Sequence, residues 1–196
     1  MIRIGLTGGI GSGKSCVADI LRSKEIPVFD CDKVAKELML TDVVRQQLRN
    51  ATGIDFFPQN VLDKSMLASF VFSSAENAAS VNDVVHPLVR NSFRDWCLQM
   101  CDSGMDICAV ESAILLESGM RNDVDYVVVV DAPQELRLRR VVERDHLLPG
   151  DVESRMRAQM HQEDKVKLAD YVILNDGDKE RLRTLTCQVL EAVRKN

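Results

Sequence analysis

Gly8-Gly9-Ile10-Gly11-Ser12-Gly13-Lys14-Ser15 is the stretch that decides the fold: a glycine, four residues, then Gly-Lys-Ser. Arg3-Ile4-Gly5-Leu6-Thr7 ahead of it is apolar and predicts a buried strand. Cys16-Val17-Ala18-Asp19-Ile20-Leu21 behind it predicts a helix. Strand, glycine-rich loop and helix in that order make a P-loop. The glycines permit positive φ and a close approach of backbone to an anion. The loop N–H groups, from Gly9 through Ile10, Gly11, Ser12, Gly13, Lys14 and Ser15 to Cys16, then form a nest for phosphates with the helix N-terminus. Lys14 is expected to reach the β- and γ-phosphates, and Ser15 to coordinate Mg²⁺. A plain turn needs neither four glycines nor the Lys-Ser pair, so the sequence predicts a nucleoside triphosphate site.

Outward from the loop, apolar runs and helical periodicities alternate. Ile26-Pro27-Val28-Phe29-Asp30, Ile107-Cys108-Ala109-Val110-Glu111, Asp125 to Asp131 and Asp170 to Leu174 read as four further strands. Helices are predicted over Asp32–Leu40, from Thr41-Asp42 to about Asn50, from Pro133 to about Asp145, after Pro149-Gly150 to about Gln162, and over Lys179–Val193. Residues 60 to 103 look wholly helical. The pattern implies an α/β fold: a five-stranded parallel sheet with helices on both faces. It also implies a division into a core (about 1–31, 104–133 and 163–196), a helical acceptor-binding insertion (about 32–103) and a helical lid (about 134–162).

Composition excludes several function classes. The chain has 196 residues, 45% hydrophobic and 28% charged, with a formal net charge of -5. No basic stripe or aromatic-interleaved patch is present, which argues against a nucleic-acid partner. The apolar runs are too short to span a bilayer. The first strand begins at residue 2, so no signal peptide is expected. Six cysteines, at 16, 31, 97, 101, 108 and 187, form no CxxC pair. Most read as buried small hydrophobes, and free thiols in this number point to a reducing, cytosolic compartment. Monomer is the default.

Ligands of such sheets sit at the carboxyl ends of the strands, and further candidate residues lie there. Asp30 and Asp32 flank Cys31 at the end of the second strand, where one could act as base toward an attacking hydroxyl. Helix capping explains them equally well by spacing, and the neighbouring P-loop favours function. Glu111 ends the third strand, a Walker-B-like placement suited to Mg²⁺ or to the acceptor. Glu117, six residues on, reads as a solvated helix face. Arg137, Arg140 and Arg144 share one helical face beside Arg139, and Arg155 and Arg157 follow a Pro-Gly break. That run suits a lid closing on a transferring phosphoryl group. His86-Pro87, inside the helical stretch, reads as structural.

Taken together, these segments resemble the dephospho-coenzyme A kinase family. The resemblance rests on Leu6 to Ser15, Asp30-Cys31-Asp32, His86-Pro87-Leu88, Leu115-Leu116-Glu117, Arg140 to Asp145, Gln159, Ala169-Asp170 and Asn175-Asp176-Gly177, and it runs along nearly the whole chain. It implies a P-loop kinase of the nucleoside-monophosphate-kinase type that moves the ATP γ-phosphate, with Mg²⁺, to the ribose 3′-hydroxyl of dephospho-CoA. It puts the family's base on Asp32 and its lid arginines on Arg140 and Arg144. Asn175 and Gly177 fall near adenine, and Thr7, Asp32, His86 and Glu111 on the acceptor side. Cys31 replaces a usual alanine. Glu111-Ser112-Ala113-Ile114 stands where the family has a less acidic, proline-containing segment.

Two other readings remain at this point. Another small-molecule P-loop kinase would share the loop and lid. A nucleotide-gated switch would share the loop, but the chain lacks the Asn-Lys-x-Asp guanine motif, and a switch needs no arginine-rich lid.

Overall fold

A computed structural model describes residues 1–195. Five strands form one sheet: β1 (Ile2–Thr7), β2 (Val28–Asp30), β3 (Ile107–Glu111), β4 (Tyr126–Asp131) and β5 (Tyr171–Leu174). All pairings are parallel, in the order β2-β3-β1-β4-β5. Val110, Val127, Val129 and Val130 are fully buried, which is why these strands are apolar throughout rather than alternating. Register levels the functional edge: Leu6 lies opposite Glu111, and Asp30 opposite Glu111 on the other side.

Helices cover both faces. On one face α1 (Lys14–Arg22) and α9 (Lys179–Lys195) pack Val17, Leu21, Leu182 and Val193 onto Ile4, Leu6, Val128 and Ile173. Full burial of one such side chain is worth about 2 kcal/mol, so this face anchors the loop between β1 and α1. On the other face Leu115 and Val124 fill the space above Gly5, where a Cβ would fall 2.8 Å from Leu115 Cδ1. Trp96 stacks obliquely on Phe29 at 5.5 Å, and Cys97 Sγ lies 4.0 Å from Cys108 Sγ.

The chain divides into two compact units: Met1–Asp30 with the chain from Trp96 onward, and Cys31–Asp95. The second unit is helical. It holds α2 (Cys31–Leu38), α3 (Asp42–Thr52), α4 (Lys64–Ser73) and most of α5 (Ala75–Asp102). Thr41 caps α3 by accepting from Val44 N, and Asp63 caps α4 by accepting from Met66 N at 2.9 Å. The stretch 60–103, expected to be wholly helical, holds two helices with a break between them. Pro58–Asn60 form a short 3₁₀ turn, and Ser74 turns extended (φ -159). Its Oγ accepts from Asn77 N at 3.1 Å, an N-terminal cap for α5. Phe56 and Phe70 pack at 5.4 Å within this unit.

All six cysteines are free. Cys31, Cys97 and Cys108 are buried, Cys187 is half-buried, and Cys16 and Cys101 are exposed. Among the described residues no helix is long and apolar enough to cross a membrane.

Candidate functional site

The loop after β1 has the geometry its glycines predict. Gly13 begins α1 with φ 96, and a Cβ there would sit 2.1 Å from Asn175 Nδ2. Gly8 (φ 146) has Val130 O where a Cβ would be, at 2.3 Å. Only glycine tolerates both the angle and the approach. The chain thereby passes close against β4 and the end of β5.

Protein partners hold the loop at several points. Asn175 Nδ2 donates to Ser12 O at 2.8 Å. Lys14 Nζ donates to Gly8 O at 2.8 Å, and Ser15 Oγ donates to Glu111 Oε1 at 2.9 Å. At the front, Gly9 N donates to Gln162 Oε1 at 2.7 Å and Ile10 N to Gln159 Oε1 at 3.0 Å. Thr7 Oγ1 and Ser12 Oγ are buried without a hydrogen-bond partner, a costly arrangement that is common where function keeps a polar atom available.

Burial pushes the Glu111 carboxyl above its usual range. The Ser15 hydrogen bond and Lys14 oppose this, and nearby Asp30 adds to it. The oxygen donors here, Ser15 Oγ and the carboxylates of Glu111 and Asp30, are of the hard kind that suits Mg²⁺. That ion typically takes one or two carboxylates and leaves its other positions to water and phosphate. Among the described residues no group of three or more His, Cys, Asp or Glu could hold a metal alone.

Three short helices follow β4: α6 (Gln134–Asp145), α7 (Pro149–Arg157) and α8 (Gln162–Lys167). Their arginines are held in different ways. Arg137 is buried, 8% exposed, and donates through Nε to Ala132 O at 3.0 Å. Its guanidinium lies where a Cβ on Gly9 would fall, and burial lowers its pKa against the opposing effect of Asp131. Arg140 is half-buried, and its Nη1 has no hydrogen-bond partner. Arg144 forks onto Asp145 at 2.7 and 2.9 Å, and that hydrogen bonding raises its pKa. A cleft of about 760 Å³ opens beside the loop, bordered by Gly9, Asp131, Pro133, Arg137, Gln162 and Leu174.

Lys14, Ser15, Asn175, Glu111 and Thr7 thus gather at one sheet edge in the first unit. Gly177 lies in the turn after β5, where Arg181 pairs with Asp176 at 3.0 Å. Cys16 is exposed in the first turn of α1. Asp32 and His86 belong to the helical unit. Asp32 is exposed in the first turn of α2, two residues beyond Asp30. His86 is half-buried in α5, where burial lowers its pKa and Asp83 opposes that.

Two partners escaped the sequence reading, Gln162 and Lys165, and a third, Glu117, differs from its expected role. Glu117 is not a solvated helix face. It lies in the turn region after β3, its side chain 24% exposed, paired with the fully buried Lys165 at 2.7 Å. The QEDKVK composition of α8 gave no sign that its first lysine points inward.

A parallel sheet in this order, with a P-loop after its central strand and arginine-bearing helices after β4, defines a P-loop kinase. Similarity to known proteins narrows the class. The family profile described as Dephospho-CoA kinase matches residues 2–181, and the chain belongs to that family. A dephospho-CoA kinase of Bacteroides fragilis is 42% identical over 193 residues, covering 98% of this chain and 91% of that protein. A crystal structure from Thermus thermophilus superimposes with a TM-score of 0.81 at 36% identity, over 97% of both chains. The dephospho-CoA kinase of Campylobacter jejuni shares the fold, with a TM-score of 0.71 at 24% identity, over 98% of this chain and 97% of that one.

Proposed function

We infer that this kinase transfers the γ-phosphate of ATP to the ribose 3′-hydroxyl of dephospho-CoA, giving CoA and ADP, the last step of coenzyme A synthesis. The observation that carries the substrate is the family match over residues 2–181. The wired loop at the carboxyl edge supports the chemistry. Six free cysteines support a reducing, cytosolic setting.

In this reading the loop from Gly9 to Cys16 receives the triphosphate while Gly9 N and Ile10 N stay fastened to Gln162 and Gln159, with Lys14 on its outer phosphates. Ser15 and Glu111 are the residues that would hold Mg²⁺, which when bound would neutralise phosphate charge. Asn175 and Gly177 border the adenine. The helical unit, with Thr7 and His86, receives dephospho-CoA, and residues 134–162 act as a lid. Asp32, exposed just past the strand edge, orients and deprotonates the 3′-hydroxyl. Arg140 and Arg144 meet the charge on the transferred group. Positioning and electrostatics supply most of the acceleration.

Coupled ADP release with and without dephospho-CoA, beside adenosine and gluconate, tests the substrate. Release specific to dephospho-CoA is expected, and release with another acceptor would overturn it. Asp32→Asn is expected to keep ATP affinity and lose roughly 10²-fold or more in kcat. Near-normal turnover would remove Asp32 as the base.

A further inference from the structure

Residues 159–165 run between the arginine-bearing helices and β5, and their bonds alternate between two loops. Gln159 Oε1 accepts from Ile10 N at 3.0 Å. Met160 N donates to Glu117 Oε1 at 3.0 Å. Gln162 Oε1 accepts from Gly9 N at 2.7 Å, while its Nε2 donates to Val130 O at 3.0 Å. Lys165 Nζ donates to Glu117 Oε1 at 2.7 Å and to Ala113 O at 2.6 Å. Its side chain is 0% exposed.

The contacts close a ring. From Gly9 and Ile10 it passes through residues 159–165 to Glu117 and Ala113, and back along the chain to Glu111. Glu111 accepts from Ser15 Oγ at 2.9 Å. Both ends of the nucleotide loop are thus tied to one short strap, and Lys165 is its buried anchor. Replacing a buried ion pair with apolar side chains is often neutral or stabilising, so stability alone is a weak reason for a fully buried lysine here. What the pair does supply is register: a slip of either loop leaves an ammonium and a carboxylate without their partners.

We propose that Lys165 and Glu117 are positioning residues for phosphoryl transfer, holding the front of the P-loop and the Ser15–Glu111 edge in one fixed geometry. The proposal rests on the kinase reading above. The pair touches neither substrate and acts through Gln159, Gln162 and Glu111. It also roots the far end of the arginine-bearing segment, whose near end packs on the loop through Arg137 and Val141.

The test uses the full chain with Lys165→Met, which keeps the aliphatic stem, and Glu117→Gln, which keeps an acceptor for Met160 N. If the first fails to fold, the second still decides. Melting temperature, kcat, KM for dephospho-CoA and calorimetric ATP affinity are measured well below the melting transition. Displacing reacting groups by an ångström costs roughly 100-fold. We expect kcat to fall about 10- to 100-fold with KM for dephospho-CoA little changed. Combining either variant with Gln159→Ala and Gln162→Ala should cost less than the product of the separate losses. A lowered melting temperature with normal kcat and ATP affinity, or multiplicative losses, would make the pair a plain structural clamp. Wild-type protein inactive on dephospho-CoA would instead defeat the substrate reading.

Discussion

The P-loop and helix α6 hold their positive groups in opposite ways. In the loop several groups are committed to the protein. Gly9 N, Ile10 N, Lys14 Nζ and Ser15 Oγ all have protein acceptors, and Ser12 O has a donor. Along α6 commitment is graded. Arg137 is locked against Ala132, Arg140 keeps Nη1 buried and unsatisfied, and Arg144 rests on its neighbour Asp145. The loop is pre-shaped by the fold, whereas the helix keeps a guanidinium donor of Arg140 unmade. A buried donor left unmade costs about 1–3 kcal/mol, and a phosphoryl oxygen reaching Arg140 would recover it.

Removing the loop's cation is the largest expected effect. Lys14→Met should lower kcat/KM by ~10³-fold, measured by coupled ADP release, with the melting temperature nearly unchanged. A smaller loss than that from any α6 arginine would break the contrast. Within α6, Arg140→Ala should cost about 10²-fold in kcat and Arg144→Ala clearly less, because Arg144 must first leave Asp145. Equal losses would mean that the gradient along the helix has no functional meaning.

The subtlest effect concerns Glu111. Its folded pKa is raised by burial, so the folded state binds its proton more tightly than the unfolded chain. Stability from this group is therefore lost as pH rises from the ordinary glutamate range through the raised value. Glu111→Gln, which still accepts from Ser15 Oγ, should melt higher than wild type at neutral pH. That advantage should fade on acidification below the ordinary range, while activity drops. Thermal melts across pH decide it, and a lower melting temperature at neutral pH would contradict the sign.

Much of this arrangement was readable from local pattern. Uninterrupted apolar runs marked the parallel strands, and the spacing from Gly8 to Ser15 marked the loop. Glu111 and Asp30 stood out because each ends an apolar run with a carboxylate, and register does bring them level. The reading failed where partners are remote and composition is ordinary. Lys165 sits in QEDKVK and meets a carboxylate 48 residues away. No periodicity distinguishes it from Lys167, which is exposed and paired with Asp164 at 2.8 Å. Glu117 was misread for the same reason: its partner, not its own neighbourhood, decides its role. The break at Ser74 within the helical stretch 60–103 was not legible, because a serine cap and a serine interior look alike until φ is known.

The side-chain bond from Asn175 to Ser12 spans 163 residues, and those from Gln162 and Gln159 to Gly9 and Ile10 span 153 and 149. A ribosome therefore makes the phosphate loop well before residues 159–175, which fasten it. Until those residues have emerged, the loop has its own glycines and Lys14 but lacks three side chains that fasten it.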